Sequence, residues 1–419
     1  MKQNKKKMIG IFGYFGAWNL GDEAVVGVLI QNIRKRWPDA EIHAICLNPD
    51  NAQSQHGITG LPLRRLGRAK TENPIDTRTD APQSLWRRML IKVIRRLSVI
   101  APEELVFITQ SMYRLRDFDM LVVGGSGQLI DNEGGPWNHP YNHFKWSLMA
   151  KLLGIRFVFM SVGAGPIQTK LGKYFLRHSL SMATYRSFRD NYSKDLVEGI
   201  GVQGKNEVYP DQAFCIEPNG LSRENERKHS RTIVGIAPIA YCDPRHWSEH
   251  KQETFVQYRD KLTEFVQRLL EKECGVVFFH TQVHGDDVVV DEIMATLAAK
   301  CSKKALKNVT VHPVSWYPDA FKAIAKTDIV VASRFHAVIF SYVLSRPVLG
   351  ISYDPKIDNV MAAIGQGGNV LNIETFEVDE LIKRFEILNK RRQKVKVGIQ
   401  EKVRDYRAQL QRQYDVVLQ

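Results

Sequence analysis

Short apolar runs bounded by Gly, Pro or Asn alternate along the chain with longer stretches whose apolar residues recur at helical spacing. That alternation predicts α/β architecture with parallel sheets built from βα units. The predicted strands are 8–14, 41–47, 119–124, 155–162, 232–238, 275–280, 309–313, 329–333 and 348–352. Between the fourth and fifth of these, EPNGLSRENERKHS (217–230) is polar, carries Pro-Asn-Gly turn chemistry and has no periodic apolar face. A domain boundary there divides the chain into 1–216 and 231–377, two open parallel-sheet domains facing a cleft. Ligands of such sheets sit outside the carboxyl ends of the strands, so the loops after strands are where chemistry is expected.

Three segments break the rhythm. Residues 67–82 are polar and contain Pro, and SLWRRMLIKVIRRLSVI (84–100) then places Leu85, Trp86, Met89, Leu90, Val93, Ile94 and Leu97 on one helical side. Arg87, Arg88, Lys92, Arg95 and Arg96 lie largely opposite. Such a helix packs on a core or lies in the interface of an anionic membrane. Together these stretches suggest an insert at 57–107. The tail 378–419 has a helical pattern rich in Lys and Arg, including Lys390, Arg391, Arg392, Lys394 and Lys396, and reads as a solvated basic helix.

Of the 419 residues, 59 are Lys or Arg and 45 Asp or Glu, a formal charge of +14 that favours anionic partners or substrates. Disorder and a multi-span membrane protein are excluded by 44% hydrophobic residues without any 18-residue apolar run. Five cysteines, Cys46, Cys215, Cys242, Cys274 and Cys301, stand far apart with no C-x-x-C pair, which fits a reducing cytoplasm and neither a disulfide framework nor a zinc knuckle. MKQNKKK resembles the start of a signal peptide, but the glycine-broken run behind it reads as a first strand.

Candidate chemistry lies at strand ends. After the first strand, GYFGAWNLGDEA offers Asn19 and Asp22 before a helix, without a G-x-G-x-x-G fingerprint. After the third, Gly124, Gly125, Ser126, Gly127 and Gln128 let the backbone approach a ligand or a packed helix, and Asp131 follows. Arg189 and Asp190 in SFRDNYS, with Asp211 in YPDQAF, suit an ion pair closing the first domain. In the second domain Ser333, Arg334 and His336 end one strand, while Asp354, Pro355 and Lys356 end the next. A histidine bracketed by Arg and Lys at adjacent strand ends suits anion chemistry.

The ordered set GYFGAWNLGDEA, LVVGGSGQLID, SFRDNYS, YPDQAF and SRFHAVIFSYVLSRPVLGISYDPK resembles the polysaccharide pyruvyl transferases. The resemblance implies a GT-B-like pair of Rossmann-type domains, with phosphoenolpyruvate as donor. It further implies transfer of pyruvate, as a ketal, to a sugar of a cell-surface polysaccharide or its lipid-linked precursor. By motif it implies Arg189 and Lys356 as donor-binding cations and His336 as the catalytic histidine. Ser126 stands where the family's G-G-G turn has glycine. Arg334 adds a third cation, His336 is the expected acid, and Asp22 or Asp131 is the expected base for the acceptor hydroxyl. Asn19, Gly124, Gly125 and Ser126 complete the expected substrate-binding set.

No metal or separate cofactor is expected. The expected partners are the donor, a glycan or lipid-linked acceptor and an anionic membrane surface reached through 84–100, but not nucleic acid. The setting is cytoplasmic, possible at the inner face of the membrane; oligomeric state is left open. Two rival readings are a nucleotide-sugar glycosyltransferase on the same frame and a non-catalytic protein binding anionic glycans.

Overall fold

The computed structural model describes residues 6–65, 101–125, 127–218, 231–247 and 251–419. The first sheet has seven strands in the order β3-β2-β1-β4-β5-β6-β7. In chain order they are β1 Met8–Phe12, β2 Glu41–Cys46, β3 Thr59–Pro62, β4 Met120–Gly124, β5 Arg156–Val162, β6 Tyr185–Phe188 and β7 Glu207–Val208. The second has six, in the order β10-β9-β8-β11-β12-β13. These are β8 Ile233–Ala237, β9 Gly275–Phe278, β10 Val309–Val311, β11 Ile329–Ala332, β12 Val348–Ser352 and β13 Val370–Asn372.

Neighbouring strands in both sheets run parallel, with β1 paired to both β2 and β4, and β8 to both β9 and β11. Helices cover both faces of such a sheet, so central strands read as unbroken apolar runs. β4, β11 and β12 are accordingly buried at every residue. Each sheet reverses its winding next to its first strand, between β1 and β4 and between β8 and β11. Those are the positions where ligand crevices form in open α/β sheets.

The predicted strands are all present, 348–352 unchanged and the others shortened by one or two residues, and four strands are additional: β3, β6, β7 and β13. The expected insert shrinks from both sides, because Thr59–Pro62 pairs with β2 and residues 101–107 open the helix Ala101–Leu115. Residues 66–100, Ser126 and 219–230 lie outside the described residues, and with them the amphipathic segment 84–100.

The C-terminal segment is not a solvated tail. It forms one helix, Val378–Val417, whose Ile399, Val403, Leu410, Tyr414 and Val417 join a core that also takes in the first domain. Gln413 locks it there: its Nε2 donates to Ser187 Oγ at 2.6 Å, and its Oε1 accepts from Gln212 Nε2 at 2.7 Å and from Ser161 Oγ at 3.2 Å. Tyr414 Oη donates to Gln212 Oε1. The second domain's last helix therefore completes the first domain, and the two share a buried polar network.

Candidate active site

The two sheets bring their switch points together. β1 runs through residues 13–19 into the helix Leu20–Arg36, while β11 runs through Ser333 and Arg334 into the helix Phe335–Val343. The loop after β1 is tied to the second domain through backbone. Leu20 N–H donates to Thr281 O and Val283 N–H donates to Trp18 O, both at 3.0 Å. Asn19 caps the helix, its Oδ1 accepting from Gly21 N–H at 3.1 Å. Asp22 occupies the helix's first turn, where a carboxylate favours the positive end of the helix dipole.

His336 sits against that N-terminus. A Cβ added at Gly21 would stand 1.7 Å from His336 Nδ1, so only glycine leaves room for the ring. The residue is 8% exposed, and its Nε2 is buried without a hydrogen-bond partner in the structure. Arg189 arrives from the end of β6. Its guanidinium lies 4.2 Å over the Phe335 ring and 3.7 Å from the buried Asp211 carboxylate. Burial holds Asp211 above the usual carboxylate range although Arg189 opposes it. Lys356 stands in the first turn of the helix Pro355–Ala363, with Nζ 3.3 Å from Asp354 and 5.2 Å from the Tyr353 ring centre.

Burial, and then the positive charges of Arg189 and Lys356, push His336 down to about 3. Arg189 acts on Lys356 as well. Arg189 of the first domain and His336 and Lys356 of the second therefore lie close enough for their charges to act on one another. The expectation of His336 as a ready acid needs revision. With only protein charges around it the imidazole is neutral at physiological pH, and a nearby anion would raise its affinity for a proton by opposing the two cations.

Other expected site residues are engaged elsewhere. Arg334 is held in a two-pronged ion pair by Asp286, Nε to Oδ2 at 2.8 Å and Nη2 to Oδ1 at 2.7 Å, and Asp286 is fully buried. Its charge is spent on that carboxylate, which corrects its reading as a free donor-binding cation. Asp131 is buried and accepts from Gln168 N–H at 2.8 Å and from both the N–H and Oγ1 of Thr169 at 2.7 Å. Three donors make it a brace for the loop before the helix Lys170–Met182, unsuited to take a proton from an acceptor.

Gly124 and Gly125 leave space for the helix Leu20–Arg36. Added Cβ atoms would stand 2.2 Å from Leu29 Cδ1 and 2.6 Å from Val25 Cγ1. The packing alternative, rather than ligand approach, holds at both.

Two participants escaped the sequence reading. Phe335, the ring beneath Arg189, looked like one more apolar residue of its helix. Asp286 opens the helix Asp286–Lys300 after β9, and its place at a strand end was the available signal. Among the described residues no group of three or more His, Cys, Asp or Glu is placed to hold a metal ion, and no helix is long and apolar enough to cross a membrane.

In overall shape the chain is similar to UDP-GlcNAc 2-epimerase from Neisseria meningitidis, with a TM-score of 0.56 at 14% identity over 94% of each chain. It is also similar to Acinetobacter baumannii MurG, with a TM-score of 0.53 at 13% identity over 98% of this chain and 99% of that one. A glycosyltransferase from Rickettsia africae gives 0.53 at 11% identity over 99% of both. These likenesses establish a GT-B-type fold. No curated protein sequence matches significantly. The sequence pattern of one family, however, matches residues 19–355, from the cap of the first helix to the proline before Lys356, and by that match the chain belongs to the polysaccharide pyruvyl transferase family.

Proposed function

We propose that the protein transfers pyruvate from phosphoenolpyruvate to a sugar diol of a cell-surface polysaccharide or its lipid-linked precursor, forming a ketal and releasing phosphate. The observation that carries this reading is the meeting of Arg189, His336 and Lys356 at the junction of the two domains. Phosphoenolpyruvate places a carboxylate and a phosphate on a three-carbon frame, and binding it calls for cations that hold their charge. Arg189, fixed between Phe335 and Asp211, offers a guanidinium to one anion; Lys356, at a helix N-terminus, offers an ammonium to the other.

The bound donor then changes the field at His336. Its negative charge offsets Arg189 and Lys356, which add to burial in holding the imidazole neutral, so the affinity of Nε2 for a proton rises as the donor enters. His336 delivers that proton to the methylene carbon, and the enol carbon becomes oxocarbenium-like. One acceptor hydroxyl adds to it and gives up its proton. Phosphate leaves with the bonding pair of its C–O bond, and the second hydroxyl closes the ketal as its own proton departs. Of the two hydroxyl protons lost, one restores the proton that His336 gave to the methyl group and the other leaves with phosphate. Asp22, in the first turn of the opposing helix, is the remaining candidate base.

The test is phosphate release from phosphoenolpyruvate with a panel of p-nitrophenyl hexosides offering 4,6- or 3,4-diols. Release that depends on a hexoside, with a product heavier by one pyruvoyl ketal, supports the reading. Release of nucleotide from a UDP-hexose under the same conditions overturns it. Phosphoenolpyruvate is a cytosolic metabolite, so this reading places the reaction on the cytoplasmic side of the membrane.

A further inference from the structure

Large apolar side chains exposed to solvent are unevenly distributed between the domains. On the first domain, three neighbouring helices, Ala101–Leu115, His139–Leu153 and Lys170–Met182, expose Leu105, Tyr113, Leu148, Leu152, Leu171 and Tyr174. Leu152 and Tyr113 are 67% and 66% exposed. Among the described residues, the helices that flank the second sheet from Gln252 to Ala363 expose no large apolar side chain, and the final helix exposes such side chains singly, Ile387 and Val397 among them. Scattered apolar residues are ordinary on a protein surface, whereas a grouped set on one layer marks an interaction face.

The spacing shows that this is one outward face. In the middle helix Leu148 and Leu152 are four residues apart, on the side away from the buried Trp146 and Ala150. In the first helix Leu105 and Tyr113 lie opposite the buried Phe107, Ser111 and Leu115. In the third, Leu171 and Tyr174 lie opposite Leu176 and Leu180. The middle helix touches both others: Lys145 Nζ lies 2.8 Å from Glu104 of the first, and Phe144 packs its ring on Phe175 of the third at 5.2 Å.

Charge decides what covers this face. The middle and third helices contain no acidic residue, and Lys151, Lys170, Lys173 and Arg177 accompany their apolar side chains. The first helix has two acids, both occupied: Glu104 with Lys145 and Glu103 with Arg65. Just past the first helix Arg116 lies over the Tyr113 ring at 4.1 Å and is paired with Asp117. Apolar side chains accompanied by an excess of cations over acids among the described residues suit an anionic lipid surface, where the apolar tips enter the interface and the cations meet headgroup phosphates.

We infer that the three-helix face of the first domain docks the protein reversibly on an anionic membrane surface. Docking is independent of which donor the active site takes, so this inference and the proposed function succeed or fail separately. It does not require 84–100.

The experiment is co-sedimentation of the full chain with vesicles of phosphatidylglycerol and phosphatidylcholine, against vesicles of phosphatidylcholine alone. Binding should be at least about tenfold stronger to the anionic vesicles and should fall as salt shortens the screening length from about 10 Å at 0.1 M to about 3 Å at 1 M. Leu148→Glu with Leu152→Glu should lower binding about tenfold or more. Lys170→Glu, Lys173→Glu and Arg177→Glu together should remove most of the salt dependence. These side chains are exposed, so circular dichroism melting should match the wild type and show that the loss is not unfolding. Wild-type protein that stays in solution with anionic vesicles at low salt overturns the inference. So do variants that bind as the wild type does, which would assign docking to 84–100. Dimerisation abolished by Leu152→Glu would assign the face to a second copy and overturn it equally.

Discussion

Gly21→Ala adds a single methyl and isolates the contact that joins the domains at His336. The new Cβ would lie 1.7 Å from His336 Nδ1, where ordinary contact begins near 3.4 Å, so ring and helix must separate by about 1.7 Å. Gly21 does not have a positive φ, so alanine strains no backbone dihedral there and the cost of the change lies in its contact with the ring. What is displaced is the imidazole. A shift of about 1 Å in a catalytic group costs on the order of a hundredfold in rate, and this one is larger. With phosphoenolpyruvate and a hexoside acceptor, kcat should fall about a hundredfold or more. Donor affinity, held mainly by Arg189 and Lys356, should change much less, and the overpacking should lower stability by about 1–3 kcal/mol while the folded state persists. A Gly21→Ala enzyme with near wild-type kcat would show that the position of His336 does not govern the reaction.

Arg189→Lys keeps the charge but loses the planar stack on Phe335, and it should raise KM for the donor about tenfold while leaving the fold intact by circular dichroism. Burial holds His139 at about 4 and His143 at about 3, with His336 also at about 3. These folded-state values lie below the unfolded value, so the stability they confer is complete above about pH 6.5 and is lost as pH falls toward 3; at pH 5 each group costs about 2 kcal/mol. Melting temperature should therefore drop between pH 7 and pH 5, and His143→Phe, in a site walled by Phe12, Tyr14 and Phe159, should flatten that slope. Gln413→Leu leaves Ser187 and Gln212 without their partner and should destabilise the protein by about 1–3 kcal/mol in urea unfolding, with the first domain's probes lost together with the helix's.

What the sequence showed and concealed follows from burial. β1, β4, β11 and β12 are covered by helices on both faces, and their apolar runs announce them. The missed strands TGLP, YRSF, EV and VLN are short; three lie at sheet edges and one beside an edge, where half-exposed polar residues interrupt any run. The final helix misled for a different reason. Its dense Lys and Arg hid a stripe at 399, 403, 410, 414 and 417 that keeps helical spacing. His336 and Lys356 stand out because a parallel sheet presents its strand ends on one side, whereas Arg189 is identified as a donor-binding cation only by the family resemblance. Arg334 misled, because its charge is cancelled by Asp286, 48 residues earlier in the chain, and local sequence carries no trace of that pairing. Gly124 and Gly125 show the same ambiguity in reverse, since a glycine-rich turn serves a ligand and a packed helix with one pattern.

The central claim is that the domain junction is an anion site for phosphoenolpyruvate. Calorimetric titration of the full chain with phosphoenolpyruvate, and separately with UDP and a UDP-hexose, tests it without any need for the acceptor. The account predicts that phosphoenolpyruvate binds, more weakly as salt rises, that Lys356→Ala and Arg189→Lys each lower its affinity about tenfold, and that neither UDP nor UDP-hexose gives a comparable signal. Binding of UDP-hexose with none of phosphoenolpyruvate would contradict it.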